Sequence, residues 1–208
     1  MRIIAISSPK AVDDEVTLIK ALLKSGIDIV HLRKPQLEFC DSEVKVGSFY
    51  SGTNAIDYIR TLLKGLSAEE RSRIIVHDYY ELYEEFSLKG VHINKNITSL
   101  PKGYKGFKTR SCHAVEEVLK YKEEFDYLFL SPIFDSISKG GYKSTFSSEQ
   151  LLEASKAGVI DEKVIALGGI TIDKIPYLKR LNFGGVAMLG AIYKVEALNE
   201  LKEIEQYK

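Results

Sequence analysis

The sequence predicts a (β/α)₈ TIM barrel in a single domain spanning residues 1–208. Three observations carry that reading. Short β-rich runs and helix-spaced runs alternate along the whole chain, and eight such strands can be placed. Composition shows no break that would mark a linker between domains. The most apolar runs empty into polar or glycine-rich loops at their carboxyl ends, as parallel barrels do where they carry function.

The first strand is expected over Arg2–Ser7. A helix over Asp13–Lys24 follows, with Val16, Ile19, Leu22 and Leu23 on one face, Asp13 or Asp14 as its cap and Gly26 as its stop. Further strands are expected at Asp28–Arg33, Arg73–His77, Gly90–Ile93, Phe107–Ser111, Asp126–Leu130, Lys163–Leu167 and Gly185–Met188. Helical spacing recurs at Asn54–Leu66, Tyr80–Leu88, Ala114–Tyr121, Ser148–Ala157, Ile172–Leu181 and Val195–Tyr207. The continuously apolar Tyr127–Leu130 is the pattern of a strand buried on both faces. Residues Pro35–Ser51 are the least patterned and read as a long loop or irregular helix. An open doubly wound sheet would want a glycine-rich turn after its first strand, and Ser7-Ser8-Pro9-Lys10 is no such turn.

Lysine plus arginine and aspartate plus glutamate are both 29, so the formal charge cancels. That balance provides no whole-molecule attraction to nucleic acid or an acidic membrane, and any anion site must be local. Cys40 and Cys112 have no metal-type spacing. The amino terminus, MRIIAISSPK, turns polar too soon for a signal peptide. No apolar run approaches the roughly 20 residues that span a bilayer. The expectation is a soluble cytoplasmic protein with neither nucleic-acid nor membrane partners.

In a barrel, function belongs just past each strand. Alternation along the second strand sends His31 and Arg33 to one face, toward the mouth, and Leu32 to the other. An arginine there either meets an anionic ligand or pairs with a carboxylate. Asp78, after the third strand, suits either magnesium or the cap of the next helix. His92 lies in a short apolar strand, where a core role is the ordinary one. Ser111 can hold a phosphate or polar substrate edge, while Cys112 reads as buried and His113 as a helix-terminal residue. Past the sixth strand, Ser136, Ser138 and Lys139 fall within four residues, and two hydroxyls beside a cation suit a phosphate or diphosphate. Asp135 reads as a turn-capping residue or a further charge for a metal. Gly168-Gly169 and Leu189-Gly190 end the seventh and eighth strands, where barrels commonly bind phosphate through main-chain amides.

With these elements in order, the chain resembles the thiamin-phosphate synthase and TenI family. The resemblance rests on IVHLRK, IIVHDYYEL, GVHINKN, TRSCHAVEEV, DYLFLSPIFDSISKGG, VIALGGIT and GGVAMLGAIYK, ordered over nearly the whole length. It implies a barrel enzyme that joins a hydroxymethylpyrimidine diphosphate to a thiazole phosphate, with magnesium, releasing diphosphate. It further implies that Arg33 and Lys139 contact the diphosphate and that Ser136 and Ser138 stand on the substrates. Ser111 would lie near the reacting groups, Asp78 would bind magnesium, and Gly168, Gly169, Leu189 and Gly190 would cradle the thiazole phosphate.

The chain departs from the family pattern in places. His31 replaces a glutamine, Lys34-Pro35 replaces a glutamate–lysine pair, and His77 replaces the asparagine beside the magnesium aspartate. Asn96-Ile97 falls where a second acidic ligand is expected. TenI-type tautomerases carry a catalytic histidine where this chain has Pro132, as synthases do. A transferase is therefore expected first. A TenI-type tautomerase using His31 or His113 and a non-catalytic phosphate-binding barrel are the alternatives.

Overall fold

The computed structural model describes residues 1–35, 37, 55–94, 100–135, 144–193 and 207. Eight strands pair in sequence order, and the last closes on the first: β1 (Arg2–Ile6), β2 (Ile29–Leu32), β3 (Ile74–His77), β4 (Gly90–Ile93), β5 (Phe107–Cys112), β6 (Tyr127–Leu130), β7 (Val164–Leu167) and β8 (Gly185–Met188). Every pairing is parallel, so all carboxyl ends share one rim. The expected (β/α)₈ barrel is what the chain forms.

The described helices are α1 (Glu15–Lys24), α2 (Ala55–Lys64), α3 (Ala68–Arg71), α4 (Glu81–Phe86), α5 (Val115–Tyr121), α6 (Ser148–Lys156) and α7 (Ile175–Arg180). A 3₁₀ turn over Ile172–Lys174 leads into α7. The short α3 was not anticipated; Ser67 and Glu70 form a reciprocal capping box that starts it. The same device starts α6, through Ser147 and Gln150. The expected helix Val195–Tyr207 and the stretch Pro35–Ser51 fall almost wholly outside the described residues.

Alternation divides each strand between two cores. Val30, Leu32, Ile74, Val76, Leu128, Leu130, Val164, Val186 and Met188 face outward and pack with helix residues such as Leu18, Leu22, Ile59, Leu63 and Leu178. Ile4, Ile6, Ile29, Ile75, Tyr127, Phe129, Ile165 and Ala187 fill the lumen. Burial on both faces explains the continuous apolar runs. No described helix is long and apolar enough to cross a membrane.

One ion pair is buried outside the barrel. The Lys34 ammonium meets the Glu15 carboxylate, and both side chains are fully enclosed. Tyr58 and Tyr193 donate their hydroxyls to that carboxylate, each at 2.5 Å, and Lys34 also donates to the Lys10 carbonyl at 2.9 Å. Lys34 therefore points into the layer between β2 and the helices.

Candidate active site

The common rim brings together residues far apart in sequence. Arg33 follows β2, Asp78 follows β3, Ser111 lies near the end of β5, Gly168-Gly169 follow β7 and Leu189-Gly190 follow β8. Ser136, Ser138 and Lys139, together with Asn96-Ile97 and Cys40, lie outside the described residues.

Arg33 is held by its backbone. The Ser7 hydroxyl, at the end of β1, accepts from the Arg33 amide at 2.9 Å and donates to its carbonyl at 3.1 Å. Among the described residues its side chain forms no ion pair. Asp78 adopts a positive φ of 67°, a conformation aspartate tolerates better than most residues. Asn94, from the end of β4, donates Nδ2 to Asp78 Oδ1 at 2.7 Å. Helix α4 begins beyond, with Tyr80 at its cap position, so Asp78 is not the helix cap.

Gly168 and Gly169 have φ of 99° and 61°. A Cβ on Gly168 would stand 2.8 Å from Pro132 Cα, and one on Gly169 would stand 2.3 Å from the Asp135 carbonyl oxygen. These glycines let the loop after β6 lie directly on the turn after β7. Phe134 donates its amide to the Gly168 carbonyl at 3.1 Å, and Ile133 donates to the Leu167 carbonyl at 2.9 Å. After β8, the Leu189 carbonyl accepts from the Tyr193 amide at 2.9 Å, which turns the chain back at Gly190. Asp135 accepts from the Ser144 amide at 2.7 Å.

Beneath this rim lies a feature that the sequence analysis did not assemble. Three of the four histidines meet inside the barrel. Parallel register places His77 beside His92, His92 beside Thr109 and Thr109 beside Tyr127, in one row around the wall. His31 reaches two members of that row. Its Nδ1 lies 3.0 Å from His77 Nε2 and its Nε2 lies 2.5 Å from the Tyr127 hydroxyl. His92 Nδ1 lies 2.9 Å from Thr109 Oγ1, and its Nε2 lies 3.3 Å from Ser111 Oγ. The rings of His77 and His92 stack with centroids 4.1 Å apart.

His31, expected to project into the mouth, is instead fully buried at its floor with both ring nitrogens engaged. Burial pushes His31 and His77 well below the ordinary histidine value, with neighbouring histidines adding to the effect. His92 is lowered to about 3, first by burial and then by the charges of Arg33 and Arg110. All three are neutral at physiological pH. A Val-His dipeptide recurs in three consecutive strands, as Val30-His31, Val76-His77 and Val91-His92. That repeat was the available sign of the cluster.

The two remaining candidates have ordinary roles. Cys112 is wholly enclosed, and burial raises its thiol to about 12, so it is no nucleophile. His113 is exposed; its ring Nδ1 lies 2.9 Å from the Ser131 carbonyl oxygen, and its amide donates to Glu117 at 2.6 Å.

The profile of the family described as Thiamine monophosphate synthase, which takes in the TenI proteins, matches residues 3–192. The chain belongs to that family. Among curated members, the Thiamine-phosphate synthase of Lactococcus lactis subsp. lactis (strain IL1403) is 22% identical over 205 residues, covering 94% of this chain and 88% of the relative. That of Bacillus mycoides (strain KBAB4) is 27% identical over 201 residues, covering 94% and 86%. Among solved structures, thiamine phosphate pyrophosphorylase from Bacteroides thetaiotaomicron superposes with a TM-score of 0.81 at 35% identity, covering 100% of this chain and 97% of that one. As a thiamin-phosphate synthase family member, the chain is an enzyme of the transferase class.

Proposed function

We propose that this family member joins a hydroxymethylpyrimidine diphosphate to a thiazole phosphate, forming thiamin phosphate and releasing diphosphate. The observation that carries the proposal is the convergence of Arg33, Asp78 and Ser111 on the same rim as two phosphate-type turns. In the reaction the C–O bond to diphosphate breaks and both electrons leave with the diphosphate. The thiazole nitrogen then donates its lone pair to the resulting cationic carbon, and no proton has to move. Such chemistry calls for charge neutralisation on the leaving group and close positioning of the partners. Arg33 and Lys139 supply positive charge. The hydroxyls of Ser111, Ser136 and Ser138 orient the substrates, and the turns at Gly168-Gly169 and Leu189-Gly190 receive the thiazole phosphate.

Asp78 is the residue that would hold magnesium. One carboxylate, completed by diphosphate oxygens and water, is a donor set that magnesium accepts. When bound, the ion supplies further neutralisation of the leaving diphosphate. Because magnesium gives up water reluctantly, a single carboxylate should hold it weakly. Calorimetric titration should therefore show poor magnesium affinity in the protein alone and tighter binding once the pyrimidine diphosphate is present. Tight binding without the diphosphate would contradict the single-carboxylate site.

The deciding experiment incubates purified protein with both substrates and magnesium and detects thiamin phosphate. Failure to form product would refute the transferase assignment. Lys139→Ala should lower coupling on the order of 100-fold, as removal of one charge-stabilising donor does. Thiazole-phosphate affinity should be retained in this variant, because the lysine serves the diphosphate; undiminished coupling would count against that role.

A further inference from the structure

We propose that His31, His77 and His92 form a site for one divalent transition-metal ion of the Zn²⁺ or Co²⁺ class, separate from the magnesium position at Asp78. Each histidine offers a ring nitrogen, and these atoms lie within 4.8 Å of one another in a fully buried cluster. Zinc–imidazole bonds of about 2.0–2.1 Å in a tetrahedral site set their nitrogens roughly 3.3 Å apart. The His31 Nδ1 and His77 Nε2 pair, at 3.0 Å, is already near that separation. His92 stacks on His77 with an interplanar angle of 19°, so its ring must tilt out of the stack to join them. That movement is a rotation about χ2, a soft torsion in histidine.

The outer partners fit the same arrangement. A metal-bound imidazole characteristically donates its other N–H to a neighbouring oxygen, which fixes tautomer and ring orientation. Tyr127 provides that oxygen for His31 Nε2, at 2.5 Å, and Thr109 provides it for His92 Nδ1, at 2.9 Å. This leaves His31 Nδ1 and His92 Nε2 as the metal-facing atoms. The hydrogen bond between His31 and His77 is then given up: His31 carries its proton on Nε2 and His77 carries its own on Nδ1. Three neutral imidazoles with an open fourth position are a known zinc donor set. The charges of Arg33 and Arg110 bear on His92 and oppose a bare dication. A hydroxide in the fourth position removes one unit of that opposition.

The test uses metal-free, full-length protein titrated with Co²⁺ in excess magnesium. One ion per chain is expected, with visible bands of a four-coordinate nitrogen–oxygen site that Zn²⁺ abolishes by displacement. X-ray absorption of the zinc-loaded wild-type protein should show three imidazole ligands, a readout that needs no variant. His31→Gln and His77→Asn should each weaken Co²⁺ binding at least about tenfold, since a direct ligand is lost. Asp78→Asn should leave the cobalt spectrum unchanged, whichever reaction the enzyme performs. Absence of cobalt bands in the wild-type protein would overturn the proposal. So would a near-ultraviolet thiolate band, loss of binding in Asp78→Asn, or unaltered binding in both histidine variants.

Discussion

Glu15→Ala is expected to lower the free energy of unfolding by about 3–5 kcal/mol, the usual effect of removing one partner of a buried ion pair. The Lys34 ammonium would keep the Lys10 carbonyl and the nearby faces of the Tyr58 and Tyr193 rings but lose its countercharge, inside a layer that excludes water. Tyr193 would lose its carboxylate acceptor, and Tyr58 would lose the shorter of its contacts while keeping the Val12 carbonyl at 3.4 Å. Burial already pulls Lys34 below its ordinary value, and Glu15 is what offsets that pull. The loss therefore arises from the charge left behind more than from the bond removed. Urea denaturation measures it, and a decrease under about 1 kcal/mol would show that the pair is not the desolvated unit described. Replacing both residues, as in Glu15→Leu with Lys34→Met, should recover much of the loss because no charge remains buried.

The second large effect is acid lability of the metal-free protein. Free histidine titrates near ~6.5. Above that pH, folded and unfolded chains both hold His31, His77 and His92 neutral, and their contribution is fully present. Below it the unfolded chain takes up protons that the folded chain refuses, because all three groups are depressed in the fold. Stability is thus lost as pH falls from ~6.5 toward the folded-state values. Each histidine contributes up to about 1.4 kcal/mol per pH unit, so the three together approach about 4. Urea midpoints at about pH 7.5 and about pH 5.5 bracket the change while most carboxylates stay ionised. In the double variant His31→Gln, His77→Asn the pH dependence should shrink to roughly one histidine's share. A wild-type midpoint that does not move across this interval would refute the account.

The barrel was legible because parallel strands covered on both sides leave a mark that survives in one dimension. Tyr127–Leu130 and the apolar strands near it could hardly be anything else. Helix ends were less legible. Asp14 was a plausible cap, yet it sits at a φ of 50° and makes no cap hydrogen bond. The neighbouring Glu15, which looks like an ordinary first-turn acid, is instead drawn inward by Lys34. Lys34 looked like a departure at the mouth, and nothing local reveals that its ammonium turns away toward α1.

At the rim, Arg33, Asp78 and Ser111 could be placed because strand ends in a barrel share one side. The histidine cluster could not be assembled in that way. Alternation shows that each Val-His pair turns its histidine into the lumen. How closely rings from different strands approach depends on strand stagger, which becomes known only when the sheet closes.

The loop after β6 leaves the barrel at Asp135 and is met again at Ser144, and these two residues are joined directly. Asp135 holds the Ser144 amide, and the Ser144 hydroxyl donates to the Ile133 carbonyl at 2.8 Å. Asp135 and Ser144 are thus fastened to each other, and Ser144 to the chain just past β6. Closing a loop whose ends already meet grows more demanding only logarithmically, by about 0.6 kcal/mol for each doubling of length. A change of chain length between Asp135 and Ser144 should therefore cost little in closure, since both anchors lie outside the altered stretch.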